Sequence, residues 1–345
     1  MFKGHPRGLF VASLANMGER FGFYTMYAIM VLYIQAKFGF DPKITSYIWG
    51  GFLFAVYFLP LIGGIVADRL LGYDRTVFAG ILIMFSGYVL LFIPGTGLAI
   101  ILLALFVIAL GTGFFKGNLQ AIVGNLYDDP KYNPLRDSAF NIFYMCINIG
   151  AFFAPSAARA MNNWILGKVG FTYNQEIPAL AHKFLNGEPG VTERLTQLAV
   201  EQGAGTMDLS AFCQKYIASL SESYNYGFGV AAISIILSLL IYIGFKKYIS
   251  HAGGSMKVPS KSSSTENNQV TLTPQQVRSR IIALLLVFFV VIFFWMSFHQ
   301  NGLTMTFFAR DYTVSKVPAF TYSFFNLNSF LPLILSSIKS ASGYS

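Results

Sequence analysis

The nine residues Asn16-Met-Gly-Glu19-Arg20-Phe-Gly-Phe-Tyr24 lie in the middle of an apolar stretch, 8–34, and set an acid beside a base at bilayer depth. A charged side chain there costs at least about 2.5 kcal/mol unless it is paired or faces a wet cavity. No other Asp or Glu falls inside a hydrophobic span. A neighbouring acid and base in a membrane helix read as a transport or proton-relay site. The bland reading is an ion pair that only fixes helix packing.

Outward from this stretch the chain is 54% hydrophobic, 17% aromatic and only 11% charged over 345 residues. That balance excludes an ordinary soluble domain and predicts an all-α polytopic membrane protein. Seven spans, about 8–34, 46–67, 76–94, 98–125, 139–165, 224–245 and 279–308, are long enough to cross roughly 30 Å of hydrocarbon. An eighth, 319–338, is shorter and carries Asn326, Asn328 and Pro332. The first span is no cleavable signal: it is too long, carries the Glu19–Arg20 pair and lacks a small-residue cleavage site.

The net charge of +9 does not indicate nucleic acid, because the basic residues follow membrane sidedness. Lys3 and Arg7 precede the first span, Arg69 and Arg75 separate the second and third, and Lys131 and Arg136 the fourth and fifth. Lys246, Lys247, Lys257, Lys261, Arg278 and Arg280 flank or fill the connection from sixth to seventh. The positive-inside rule therefore predicts a cytoplasmic N-terminus in a multi-pass inner-membrane protein. Cys146 and Cys213 fall in a span and in an external loop, too far apart to bridge. No cofactor or metal is expected, since neither cysteine has ligand neighbours at metal spacing.

This predicts an N-terminal six-helix bundle over 1–246 with an external insertion at 167–223, a flexible cytoplasmic linker over 247–272, and the start of a second bundle over 273–345. The linker includes Ser260-Lys-Ser-Ser-Ser-Thr-Glu-Asn-Asn268, which cannot bury a core. Within the insertion, 192–201 and 209–220 have helical spacing and read as short surface helices, a cap without chemistry rather than a lid. Deep polar residues sit in the first, fourth and seventh spans, as Glu19 and Arg20, Lys116, and His299 with Gln300. Three-plus-three repeats with a midplane site between equivalent helices place polar residues in this way.

Along the first span Asn16, Arg20, Tyr24 and Tyr27 share a face, aiming an amide, a guanidinium and two phenols in one direction with Glu19 at its edge. The planar fork of Arg suits a carboxylate. The fourth span reads Gly111-Thr-Gly-Phe-Phe-Lys116-Gly-Asn118, adding a second cation well inside the membrane. In the fifth, Asn141, Tyr144 and Asn148 share a face suited either to a polar solute or to interhelical bonding.

These residues resemble the proton-dependent oligopeptide transporter family of the major facilitator superfamily. The family's Glu-x-x-Glu-Arg motif is matched by Asn16 to Arg20, and the superfamily's loop motif by Gly63-Gly64-Ile-Val-Ala-Asp68-Arg69-Leu-Leu-Gly72. The fifth-span signature is matched by Arg136-Asp137-Ser-Ala-Phe-Asn-Ile-Phe143-Tyr144-Met-Cys-Ile-Asn148-Ile-Gly150, and the seventh-span motif by Phe294-Trp295-x-x-x-His299-Gln300. Lys116 falls at the family's fourth-span lysine and Tyr57 at its second-span tyrosine. The resemblance implies that Asn16, Arg20, Tyr24, Tyr57, Lys116, Tyr144, Asn148, Gln300 and Asn328 line a peptide site. It further implies that Glu19 takes part in proton coupling, and that Asp68 and Arg69 belong to a cytoplasmic gate. Asn16 departs from the first motif glutamate, His299 from a glutamate, and Arg310 from an outer acid. Asn16 cannot titrate, whereas His299 titrates near neutral pH and is the candidate replacement coupling site.

The expected function is that of a secondary active transporter resembling proton-coupled di- and tripeptide symporters, with small peptides, protons and the lipid bilayer as partners. The resemblance implies about twelve helices, so the chain is expected to need a further C-terminal bundle for transport. One rival keeps the superfamily but carries organic anions or nitrate, given two buried cations against one acid. Another is a non-transporting fragment or assembly partner. An intramembrane enzyme is the weakest of the readings and is not expected, for want of a Ser/Lys, Ser/His or metal-binding pair.

Overall fold

The computed structural model describes residues 3–250, 252–253 and 274–312. The expected eighth span with Asn328, and the linker residues 254–272, lie outside them. Ten α-helices are described: α1 Arg7–Phe38, α2 Pro42–Val66, α3 Tyr73–Phe92, α4 Leu98–Asn125 and α5 Arg136–Lys168 come first. They are followed by α6 Ile177–Leu185, α7 Thr192–Glu201, α8 Leu209–Gly244, α9 Pro274–Phe298 and α10 Thr304–Tyr312. Among the described residues the regular structure is helical, and the number of long apolar helices makes this a multi-pass membrane protein. α2, α3, α4, α5, α8 and α9 are each long and apolar enough to cross a bilayer. α1 is long enough at 32 residues, but its polar residues dilute its apolarity.

Local signals set the helix ends. Gly39 ends α1 in the left-handed conformation at φ 65°, and Asp41 caps α2 by accepting from the Ile44 N–H at 2.7 Å, with Pro42 in the first turn. Asp208 caps α8 in the same way.

Small residues let the helices approach. α1 packs against α5 and α8, and α4 against α2 and α3. Ser234 and Ser238 of α8 donate to the Gly18 and Ala15 carbonyls at 2.6 Å, and Gly150 of α5 lies against the Met17 carbonyl. Gly63 of α2 meets Gly113 of α4 backbone to backbone, and Asn118 Nδ2 donates to the Gly63 carbonyl at 3.1 Å beside that contact. Without a hydrophobic drive between helices in lipid, such contacts and hydrogen bonds supply the association.

Two expectations are corrected. The helix expected over 209–220 and the span expected over 224–245 form one 36-residue helix, α8. Ser221, Glu222 and Ser223, between the two segments, include no helix breaker, so the helix runs on for about 54 Å, well beyond the hydrocarbon. The span expected to continue to 308 stops at Phe298, and a 3₁₀ turn, His299–Gly302, separates it from α10. Gly302 is a poor helix former, and Gln300 Nε2 turns back to the Met296 carbonyl at 3.2 Å.

The N-terminal extension of α8 carries a small folded cap. The Tyr216 hydroxyl donates to the Thr172 carbonyl and accepts from the Asn174 N–H, and Arg194 forks onto Glu176 at 3.0–3.2 Å. α6 packs on α8 and on the end of α1, where His182 Nε2 donates to the Ala36 carbonyl at 2.8 Å. At the opposite end the chain after α8 is pinned to the bundle. Asp74 pairs with Lys246 at 2.9 Å and accepts from the Tyr242 hydroxyl, and the Gly253 carbonyl accepts from the Asp74 N–H. Residues 3–253 thus form one packed unit, and the second unit, containing α9 and α10, is described by itself.

Candidate functional site

The adjacent residues Glu19 and Arg20 point about 100° apart on α1, yet the long arginine folds back onto the acid. Arg20 Nε lies 2.5 Å from Glu19 Oε2, and Nη2 donates to Oε1 at 3.1 Å. Both side chains are buried, with Glu19 1% exposed. The guanidinium also lies 5.2 Å from the centre of the Phe23 ring. Pairing and a π face offset the loss of water around the two charges.

Lys116 comes from α4, half-buried, with Nζ 5.2 Å from the centre of the Tyr57 ring on α2. It lies within electrostatic reach of both Glu19 and Arg20. Tyr57 stands within reach of Arg20 and Tyr24, and its own side chain is 49% exposed. The structure therefore brings Glu19, Arg20, Tyr24, Tyr57 and Lys116 together from three helices. An aromatic bed supports them: Phe23 packs against Tyr24, Tyr27 and Phe52, and Tyr27 meets Trp49 at 4.8 Å. Chemically the cluster offers two cations, one acid and phenols in a space open on the Tyr57 side.

Asn16 lies about one turn before Glu19 and is buried like it, at 3% exposed. Asn141, Tyr144 and Asn148 form an exposed stripe on α5, opposite its packing with α1 and α8. With Met145, Ile149 and Phe152 they line a shallow depression of about 500 Å³. α5 and α4 scarcely touch, so the stripe and Lys116 are not joined by direct helix packing. Asp68 and Arg69 lie exposed on the π-helical turn Ala67–Leu71 that ends α2. There the Tyr73 hydroxyl donates to Asp68 Oδ1 at 2.8 Å, and Gly72 makes the bend at φ 78°. His299 and Gln300 occupy the 3₁₀ turn of the second unit, where the Trp295 and His299 rings stack at 5.6 Å.

Two residues of the α1 surroundings escaped the sequence reading. Tyr88 of α3 is 1% exposed and lies within electrostatic reach of Glu19 and Arg20, yet it is a lone tyrosine in an apolar span. Ser13, 1% exposed, reads as a small packing residue until its burial is known.

With this geometry in hand, the sequence profile of the POT family matches residues 74–266, more than half of the chain. The chain belongs to the POT family. The uncharacterized transporter YclF of Bacillus subtilis (strain 168) is 32% identical over 264 residues, which cover 75% of this chain and 42% of that protein. The di-/tripeptide transporter of Lactococcus lactis subsp. cremoris is 39% identical over 181 residues, covering 50% of this chain and 35% of that one. Among solved structures, a mutant form of the peptide transporter POT superposes with a TM-score of 0.50 at 30% identity, covering 90% of this chain and 50% of the other. A POT family transporter in complex with 5-aminolevulinic acid matches with a TM-score of 0.54 at 22% identity, a likeness of fold, covering 88% of this chain and 49% of that one. The chain thus spans half or less of the length of these POT family relatives.

Proposed function

We propose that this chain forms the N-terminal half of a secondary active transporter that moves small peptides with protons across the inner membrane. The observation that carries the reading is the buried Glu19–Arg20 pair held beside Lys116 in the membrane interior. Two cations near an opening suit a peptide carboxylate, and one acid suits proton exchange. Arg20 and Lys116 hold the carboxylate terminus, with Tyr24 and Tyr57 along the peptide. Asn16, Tyr144, Asn148, Gln300 and Asn328 offer hydrogen bonds to the peptide. Glu19 and His299 exchange protons, while Asp68 and Arg69 take part in a gate on the cytoplasmic side. The N-terminus is cytoplasmic and the cap built on 167–208 is outside, as the Lys and Arg distribution supports. Substrate and proton shift the balance between outward and inward states through their different affinities for the two. A di-/tripeptide transporter among the relatives and a peptide transporter among the solved structures support the choice of cargo.

The test is counterflow in a full-length transporter carrying this chain, with labelled dipeptide set against nitrate and organic anions. Dipeptide exchange is expected, and Arg20→Ala or Lys116→Ala lowers it at least about 100-fold through loss of charge-assisted bonds to the carboxylate. Arg194→Ala in the cap leaves it unchanged. Exchange of nitrate or organic anions without dipeptide would replace this reading with that of an anion carrier.

A further inference from the structure

The chain that follows α8 is held at three points. Asp74 of α3 pairs with Lys246 at 2.9 Å, and Asn125 of α4 donates to the Ala252 carbonyl at 3.0 Å. Between them the Tyr248 carbonyl lies so close to Gly8 of α1 that a Cβ there would meet it at 2.5 Å. So fixed, the half-buried Tyr248 side chain lies beside Arg7 in the first turn of α1. Arg7 Nη1 donates to the Tyr248 hydroxyl at 3.2 Å, and Arg7 Cζ lies 5.6 Å from the centre of the ring. Lys247 Nζ lies 5.1 Å from the same centre. Two exposed cations thus converge on one phenol. Among the described residues four ion pairs form, and neither Arg7 nor Lys247 enters one. The hydrogen bond from Arg7, with the charge of Lys247, holds the Tyr248 phenol below its ordinary value, as a positive site does. The adjoining surface is apolar. Ile233, Leu237, Leu240 and Ile243 form an exposed face along the last turns of α8, and the exposed Phe245 follows them just before the cations.

We propose that Arg7, Lys247 and Tyr248 bind the phosphate of an anionic phospholipid whose acyl chains lie along this face of α8. Arg7 offers a planar fork to two phosphate oxygens, and Lys247 adds a compact charge. The Tyr248 hydroxyl accepts from Arg7, which leaves its own hydrogen to donate to the phosphate. Basic residues at the ends of membrane helices are drawn to anionic headgroups, each by about fivefold in affinity. A zwitterionic headgroup would bring its ammonium toward two cations that no described carboxylate neutralises. A free phosphate would satisfy the cations but leave the apolar face uncovered. The lipid answers both halves of the site. None of its three residues belongs to the Glu19–Arg20–Lys116 cluster, so the site stands whether or not the cargo is a peptide.

The test is native mass spectrometry of the full chain in detergent. It is titrated with phosphatidylglycerol, with phosphatidylethanolamine of the same acyl chains, and with inorganic phosphate. Phosphatidylglycerol is expected to bind at least about fivefold more tightly than phosphatidylethanolamine. Lys247→Gln, a change at an exposed side chain, should weaken it about fivefold, and Arg7→Gln with Lys247→Gln about 25-fold. Arg7→Lys with Lys247→Arg keeps both charges and should retain binding within about threefold. Lys131→Gln removes an exposed charge from the turn between α4 and α5 and should change the affinity by less than about twofold. Phosphatidylglycerol bound by the Arg7→Gln, Lys247→Gln chain within about twofold of the unaltered one overturns the site. A loss in Lys131→Gln equal to that in Lys247→Gln does so too, since the attraction would then be general. Inorganic phosphate or phosphatidylethanolamine bound as tightly as phosphatidylglycerol overturns the choice of an anionic lipid.

Discussion

Glu19 and Arg20 are each tolerable at bilayer depth only because of the other, and this dependence can be measured. Arg20→Ala leaves a buried carboxylate facing apolar helices, a loss of about 3–5 kcal/mol. Adding Glu19→Gln removes the orphaned charge, so the double variant is expected to melt above the Arg20→Ala single variant in a detergent thermal-unfolding assay. A double variant no more stable than Arg20→Ala would show that the pair contributes nothing to folding. A second residue-scale expectation lies outside the membrane, where the Tyr127 hydroxyl meets His5 Nδ1 at 2.6 Å. Burial, with Tyr132 nearby, raises the Tyr127 phenol from 10.0 to about 12. The folded form therefore holds this proton more tightly than the unfolded one. Its contribution to stability is complete below pH 10 and is lost as pH rises toward about 12. Tyr127→Phe should flatten the fall in melting temperature across that window. At this scale the sequence shows which residues carry charge, and Glu19, Arg20 and Lys116 are legible because ionisable groups are rare in hydrocarbon. Tyr88 and Ser13 are not, because a phenol or hydroxyl in an apolar span gains meaning only from what surrounds it.

Helix contacts depend on glycines that look alike in the sequence and differ sharply in the fold. A Cβ at Gly63 would sit 2.3 Å from the Gly113 carbonyl oxygen, and one at Gly113 would sit 2.7 Å from the Leu59 backbone. Neither neighbour can rotate aside. Gly63→Ala is expected to push α2 from α4 and cost about 1–3 kcal/mol, the usual range for overpacking. Gly51, on the same helix, has nothing within 4 Å of a Cβ, so Gly51→Ala removes only the flexibility of glycine and stabilises by about 0.5–1 kcal/mol. Thermal unfolding of the two variants checks both signs. Equal effects would mean that α2 and α4 are not closely packed. Gly39, Asp41 and Pro42 mark the turn from α1 to α2 chemically, yet the spans expected from hydropathy, 8–34 and 46–67, stop short of them. The length of α8 was not legible, because polar residues outside the membrane continue a helix as readily as they end one. The stop of α9 at Phe298 escaped for the converse reason: an apolar run hides a break that begins with His299.

Over the whole molecule, hydropathy made the spans legible, since every backbone polar group in lipid must be bonded within a helix. The proposed sidedness rests on the Lys and Arg distribution, and on it a cysteine replacing Glu188 in the cap should react with an impermeant thiol reagent on intact cells, and one replacing Ser262 only after lysis. Labelling from outside at position 262 and not at 188 would reverse the topology. The interplay of bundles is the least legible feature, because it depends on residues distant in sequence, and proton coupling belongs to that scale. The carboxylate expected at position 16 is an amide here, which leaves Glu19 as the acid buried within α1. Arg20 bonds that acid, and on the proposed function an incoming peptide carboxylate would compete for the same guanidinium. Binding would then weaken the pair and let Glu19 take a proton, which is the coupling that the proposal predicts. In a full-length transporter carrying this chain, Glu19→Gln should abolish pH-driven accumulation while leaving dipeptide exchange measurable. His299→Gln should shift the pH optimum less severely. Uptake under an imposed pH gradient decides between the outcomes. Undiminished accumulation by the Glu19→Gln, His299→Gln double variant would mean that the driving proton never visits either residue, and the competition for Arg20 would then order the peptide without coupling it to anything.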